Sequence, residues 1–480
     1  MKPRSIFRLS VGLLLWAGCA SESTESQVEA TNLPPALADG AARLRDAALA
    51  SDEAYATLAE LCDLHGHRFS GSERLENAID WIADRMRGYG LQNVRKEEVL
   101  VPVWIRGEES LRLIEPAEHT IAMLGLGGSV GTPPGGIRAE VLRVTSFEEL
   151  DALDGAAVRG RIVLFDVPYS GYGPTVRYRA HGASAAARRG AVAALVRSVG
   201  LDGMRTPHTG ALRYDEAVPR IPAAAIAFED ANLMARSLER GDRVVAELAM
   251  GASSAPDRIS HNVLAEVVGR EKPEEIVVIG GHIDSWDVGQ GAQDDGVGCI
   301  LAVEAARLMH ALDLHPRRTV RVVLWTNEEN GLRGGRAYRD LHRAELDQHI
   351  AAIESDSGNG LALGFRFDLR PAAVGAEEVT PELEAARIRG LETLREVLVT
   401  LAPVGADSVF IAGSGADVSP NADVGVPALG VHHDTSEYFR IHHTIADTFD
   451  RIDPADLRAN VAAMAVLAWS LAEFEGALRP

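Results

Sequence analysis

Cysteine is scarce: 480 residues hold three, and only Cys62 and Cys299 lie beyond the first nineteen residues. Two thiols so far apart build no disulfide framework, and both read as buried thiols. Basic charge is short as well, with 48 Lys and Arg against 69 Asp and Glu, a formal net charge of −21. No basic run occurs past the extreme N-terminus, which excludes a nucleic-acid partner, because phosphate binding needs clustered Lys and Arg. A chain this acidic repels anionic substrates at long range, so a carboxylate it recognises must be held by local groups or by a metal. No Gly-x-x-x-x-Gly-Lys loop is present, and Gly125-Leu126-Gly127 lacks the third glycine of a dinucleotide-binding turn. Gly413-Ser414-Gly415 reads as a loop.

The apolar stretch Val11 to Trp16 is too short to span a membrane and follows Lys2, Arg4 and Arg8. Residues 1–19 therefore read as a signal peptide. Its end, Leu15-Trp16-Ala17-Gly18-Cys19, resembles a bacterial lipoprotein cleavage site with Cys19 as the lipid-anchored residue. The protein is expected to be exported, to the cell envelope or outside the cell. Residues 20–37 follow as a polar tether without structure.

An apolar content of 46% with 24% charged residues is that of a globular protein, and the length suggests two or more domains. Residues 38–117 and 257–480 carry an α/β rhythm. Ser72 caps a helix whose Leu75, Ile79, Ile82 and Met86 recur at helical spacing, and Asp453-Pro454 opens a closing helix. Between them, residues 118–256 are richer in glycine and proline and read as an inserted β-rich domain. Its one Ala-rich helical region, Tyr178 to Val196, carries no evident chemistry.

Three apolar runs are each followed by metal-ligating residue types. Ile276 to Ile279 precedes His282-Ile283-Asp284, Val320 to Trp325 precedes Glu328-Glu329, and Ile350 to Ile353 precedes Asp356. Ligands of open α/β sheets gather beyond the carboxyl ends of the strands, so the pattern predicts one metal site built for hydrolysis. His282 is expected to bind through its imidazole, with Asp284 fixing the ring. Asp294 bridges two metals, while Asp295 caps the following helix. Of Glu328 and Glu329, one coordinates and the other faces the water. Asp356 adds a terminal oxygen, and His443, oriented by Asp447, closes the set. Ser285, Trp286 and Asp287 are candidates for the pocket wall, and His432-His433 reads as structural.

The series His282-x-Asp284, Asp294-Asp295-Gly296, Glu328-Glu329, Asp356 and His443-Thr444-x-x-Asp447 resembles the co-catalytic zinc aminopeptidase and glutamate carboxypeptidase family. The resemblance runs from about residue 40 onward and implies a mixed β-sheet sandwiched by helices, with 118–256 as a protease-associated insertion. It implies two zinc ions bridged by Asp294, His282 and Asp356 holding one, Glu329 and His443 the other, with Glu328 as general base. It further implies an exopeptidase acting on dipeptides or short peptides, and it is compatible with a homodimer. Three alternatives stay open: a general aminopeptidase on longer peptides, a single-zinc glutaminyl cyclase-type transferase, and a receptor-like homologue without catalysis.

Overall fold

The computed structural model describes residues 33–370 and 380–479. The expected signal peptide, Cys19 and most of the tether lie outside the described residues. The tether's last residues do not: Pro35–Leu49 is a helix, and Leu37 is wholly buried in it. Proline at the first helical position and Leu37, Ala41, Leu44 and Ala48 on one face account for that start.

The larger of two eight-stranded sheets contains, in chain order, β1 (Gln92–Ile105), β2 (Ser253–Val267), β3 (Lys272–His282), β4 (Arg318–Trp325), β5 (His349–Glu354), β6 (Ala362–Asp368), β7 (Ser408–Ile411) and β8 (Ala428–His433). Their spatial order is β1-β2-β4-β3-β5-β8-β6-β7. The four in the middle, β4, β3, β5 and β8, are parallel. They read as continuous apolar runs because helices cover both faces. Along β3 the side chains alternate. Val277 and Ile279 join a core with helices Val297–Ala311 and Pro454–Glu473. Ile276 and Val278 pack with Tyr338, Val418 and Val426 on the opposite face. The sandwiched mixed sheet expected from the sequence is therefore present.

The register puts His282 of β3 beside Trp325 of β4, and Gly280 beside Glu354 of β5. All three strands thus end at one level, and the loops that leave them share one rim. At Gly281 a Cβ would stand 2.3 Å from Asp295 Oδ2 and 2.8 Å from the Cys299 nitrogen. Glycine there lets the Val297–Ala311 helix approach the end of β3.

The second sheet differs from the expected β-rich block. It spans Glu109–Glu115 to Val245–Met250, so it takes in a strand that the division at residue 118 assigned to the first unit. Four of its strands, Ile137–Val144, Ile162–Phe165, Ala193–Arg197 and Ala223–Ile226, run parallel. Helices Tyr172–Arg188 and Phe228–Glu239 accompany them, which makes the unit α/β. The region expected as one helix to Val196 is a helix ending at Arg188, and then a strand. Gly190 at φ +88 turns the chain between them, and Ala193 to Val196 is buried on both sides. Alanine served both elements, and its helical propensity hid the change.

Candidate metal centre

Each strand end delivers its group in a defined way. His282 is the last residue of β3, 1% exposed, and its Nδ1 lies 3.0 Å from the backbone oxygen of Asp284. That oxygen accepts the Nδ1 proton and leaves Nε2 free to coordinate. The Asp284 carboxylate, expected to fix this ring, instead accepts from the backbone N–H of Glu328 at 3.0 Å and Glu329 at 3.4 Å, and from Ser70 Oγ at 3.0 Å. It anchors the loop after β4, because three donors converge on it there, and it stands 3.9 Å from His282 Nδ1 while the Asp284 backbone oxygen makes the hydrogen bond at 3.0 Å.

Asp295 acts as expected at the next helix. Its Oδ1 accepts from Gly298 N at 3.1 Å, and its Oδ2 from His282 N at 3.0 Å. The Asp294–Asp295 peptide is cis. Asp447 was expected to orient His443 and does something else. Its carboxylate accepts from three successive backbone N–H groups, Ala292 (3.1 Å), Gln293 (2.7 Å) and Asp294 (3.2 Å), and so holds the loop that presents Asp294. His443 has φ +60, and its Nδ1 lies 3.2 Å from Thr209 O in the second unit.

These loops bring four side chains together around Asp294. His282 Nε2 stands 3.2 Å from Asp294 Oδ1 and 3.6 Å from Asp356 Oδ1. His443 Nε2 stands 3.2 Å from Asp294 Oδ2 and 3.1 Å from Glu329 Oε2. One aspartate thus faces two imidazoles, each with its own second acid. Glu328 joins neither pair; it is half-buried in the wall of a cavity of about 990 Å³ that opens over Asp294, Glu329 and Asp356. Burial raises its carboxyl well above the usual range, opposed by His282 and reinforced by Glu329 and Asp356.

The donor set fits divalent cations. Asp294 Oδ2 and Glu329 Oε1 are buried and accept no well-directed hydrogen bond from any described residue. Asp284, Asp294, Asp295, Glu329, Glu354, Asp417 and Asp447 are all below 10% exposed, so seven acids share a small volume. Desolvation and mutual repulsion push Glu329 to about 7, and cations at this point relieve both. Oxygen donors with imidazole suit zinc, and manganese or cobalt as well.

Several neighbours carry no signal in the sequence. His442 stacks on His443 at 3.6 Å between ring centroids, with Nε2 3.5 Å from Asp294 Oδ2; only the His-His doublet hinted at it. Arg179, from the helix read as chemically silent, places Nη1 3.3 Å from His443 Nδ1. The Ser285 to Asp287 stretch does not line the cavity. Trp286 is 2% exposed and packs on Phe69, while Asp287 pairs with Arg106 at 2.9 Å. His433 is structural as read, bonded to Ser355 Oγ and Gly360 O. Gly127-Gly128-Ser129-Val130-Gly131 has the spacing of a serine nucleophile elbow. Its Ser129 is 1% exposed, donates to Val130 O and accepts from Ala223 N, so it is spent on structure.

Arg68 is the brace of this loop system. It is wholly buried, and its guanidinium donates to the backbone oxygens of Gly66, Ile283, Gln290 and Gly291. Arg68→Met leaves these four oxygens without the donor, and a cost of about 3 kcal/mol or more is expected. Thermal melting at fixed zinc concentration checks this; an unchanged midpoint would refute the bracing role.

Comparison with known proteins matches residues 262–468 to the model described as "Peptidase family M28". The chain is 42% identical to carboxypeptidase Q of Mus musculus over 424 residues, which covers 88% of this chain and 86% of that protein. Carboxypeptidase Q of Homo sapiens is also 42% identical, over 426 residues. Among solved structures, a peptidase M28 precursor from Shewanella amazonensis SB2B superposes with a TM-score of 0.86 at 36% identity, covering 92% of this chain and 98% of that one. A zinc aminopeptidase of Bacillus subtilis shares the fold at a TM-score of 0.62 and 20% identity, covering 88% and 98%.

Proposed function

The chain belongs to peptidase family M28 and is a zinc metallopeptidase of the exopeptidase kind, and on that premise we propose that it hydrolyses dipeptides or short peptides with free ends, using two zinc ions and Glu328. The observation that carries the reading is Asp294 standing between the His282–Asp356 and His443–Glu329 pairs. His282 and Asp356 would hold one ion, Glu329 and His443 the other, with Asp294 shared.

Zinc, when bound, supplies Lewis-acid polarisation of the scissile carbonyl and a more acidic water. The chain's own groups do the rest. Glu328 takes the proton of the attacking water and returns it to the leaving amine, which its placement in the cavity wall supports. Asp284 keeps Glu328 and Glu329 in register through their backbone N–H groups, so base and ligand move as one unit.

The second α/β unit is read as the protease-associated insertion. Residues 1–19 support export, with Cys19 as the anchoring residue, and no helix among the described residues is long and apolar enough to cross a membrane. The test is a panel of free dipeptides, end-blocked dipeptides and longer peptides, run with metal analysis on the same preparation. Two zinc ions per chain and release from free dipeptides are expected. One metal per chain, or stepwise cleavage of long peptides, would overturn the reading.

A further inference from the structure

The two imidazoles of the centre are oriented from different parts of the chain. His282 Nδ1 bonds to the backbone oxygen of Asp284, two residues on in the same loop. For His443 the acceptor is Thr209 O, 3.2 Å from Nδ1, 234 residues earlier and in the second unit. The contact is reciprocal, because Thr209 N donates to His443 O at 3.0 Å. Leu201 N donates to Phe439 O at 2.8 Å, so residues 201–209 run along the loop that carries His443. Asp294 and Glu329, by contrast, are held from within the first unit, through Asp447 and Asp284.

Thr209 O fixes more than the angle of the ring. His443 Nδ1 has a second neighbour, Arg179 Nη1, at 3.3 Å. A guanidinium only donates, so with no acceptor at hand it would bond a bare Nδ1 and leave the ring proton on Nε2. Nε2 is the nitrogen that faces Asp294 and Glu329, and a protonated one cannot ligate. Thr209 O accepts from both neighbours, from Nδ1 at 3.2 Å and from Arg179 Nη1 at 3.3 Å. The proton stays on Nδ1 and Nε2 stays free. The same residue holds His443 at φ +60, a left-handed conformation that a histidine keeps where its surroundings impose it.

Thr209 is in turn fixed at the seam between the units. Its Oγ1 donates to Gly125 O at 2.8 Å. Arg106 Nη1 donates to the same oxygen at 2.6 Å, and its Nε to Asp287, in the loop after β3, at 2.9 Å. Gly127 N donates to Gly210 O at 3.0 Å, and Gly127 packs directly on Trp286. A Cβ at residue 127 would stand 2.1 Å from Trp286 Cη2, so glycine there sets how closely the second unit approaches. The Trp286 ring lies 5.6 Å from that of His443.

We infer that Thr209 is a positioning residue for the His443–Glu329 metal site alone, so that the two sites are completed on different terms. The site at His282 and Asp356 is built by the first unit's own chain. The site at His443 and Glu329 forms only with the second unit seated on Trp286. The inference rests on the proposed two-metal centre and goes beyond it by giving the second unit a part in assembling that centre.

Calorimetric zinc binding to the full-length apoprotein, in competition with a chelator, tests this without turnover. T209V keeps the shape of the side chain and removes the hydroxyl that ties it to Gly125, and T209S restores that hydroxyl. G127A drives the second unit away from Trp286. H282A and H443A each leave a single site, which identifies the one affected. In H282A, adding T209V or G127A should weaken the remaining site by about 10- to 100-fold. In H443A the same changes should leave the remaining site as it was, and T209S should bind as the parent does. V163A, which thins the buried core of the second unit, should lower the melting temperature and leave both affinities in place. Equal weakening of both sites, no weakening of either, or a V163A that matches T209V would overturn the inference. A parent that binds one zinc refutes the two-metal reading and the inference with it. A parent that binds two, with no selective loss in T209V, refutes the inference alone.

Discussion

In Glu328→Gln, kcat falls by roughly a thousand-fold while the zinc content per chain stays that of the parent. The two halves of this expectation come from different parts of the geometry. Glu328 makes none of the acid–imidazole contacts that gather around Asp294, so the amide takes nothing from the metal centre. The backbone N–H of residue 328, which Asp284 holds at 3.0 Å, is the same in both proteins. Only proton acceptance is lost, because a carboxamide of the same shape cannot take the proton from water. Steady-state kinetics with metal analysis on one preparation checks both halves. Full activity would remove Glu328 from the mechanism, and loss of zinc would make it a ligand.

Asp294→Ala should be the more drastic change, with activity below detection and the stabilisation by added zinc lost. The wild-type apoprotein gains stability on binding zinc as RT ln(1 + [Zn]/Kd), about 4 kcal/mol at a thousand-fold excess over Kd. That gain requires a group shared by both imidazole–acid pairs, and Asp294 is the one residue within 3.2 Å of both His282 Nε2 and His443 Nε2 among the described contacts. Its alanine variant keeps the loop, since Asp447 binds the backbone N–H of residues 292 to 294 and none of their side chains. Melting of apo and zinc-titrated protein is the measurement. A variant that still gains several degrees with zinc would show that the two pairs bind independently, and the shared-aspartate arrangement would fail. His442, 3.5 Å from Asp294 Oδ2, is the residue that could then serve as a substitute ligand.

Much of this centre was readable in the order of residues. Strands β3, β4 and β5 are unbroken apolar runs because both faces are buried, and each ends where a polar loop begins. Parallel neighbours in register must end together, so His282, Glu328, Glu329 and Asp356 had to share a rim. Asp295 as a helix cap and Ser72 and Asp453 as N-caps are local choices, made within three residues of chain, and they were legible for that reason.

The misreadings share one cause as well. Which donor satisfies Asp284 or Asp447 depends on loops brought together from 44 and 153 to 155 residues away. A carboxylate near a histidine in sequence suggests an ion pair, but backbone N–H groups outnumber imidazoles in a tight loop and lie closer. Arg179 is the extreme case: 264 residues separate it from His443. Nothing in an Ala-rich helix marks one arginine as a neighbour of the metal centre, because the contact exists only once the second unit packs against the His443 loop. Periodicity and local capping decide which segments become strands and helices, and hence which side chains reach the rim. Desolvation and long-range hydrogen bonding, which depend on the packed arrangement, decide what each of those side chains does there.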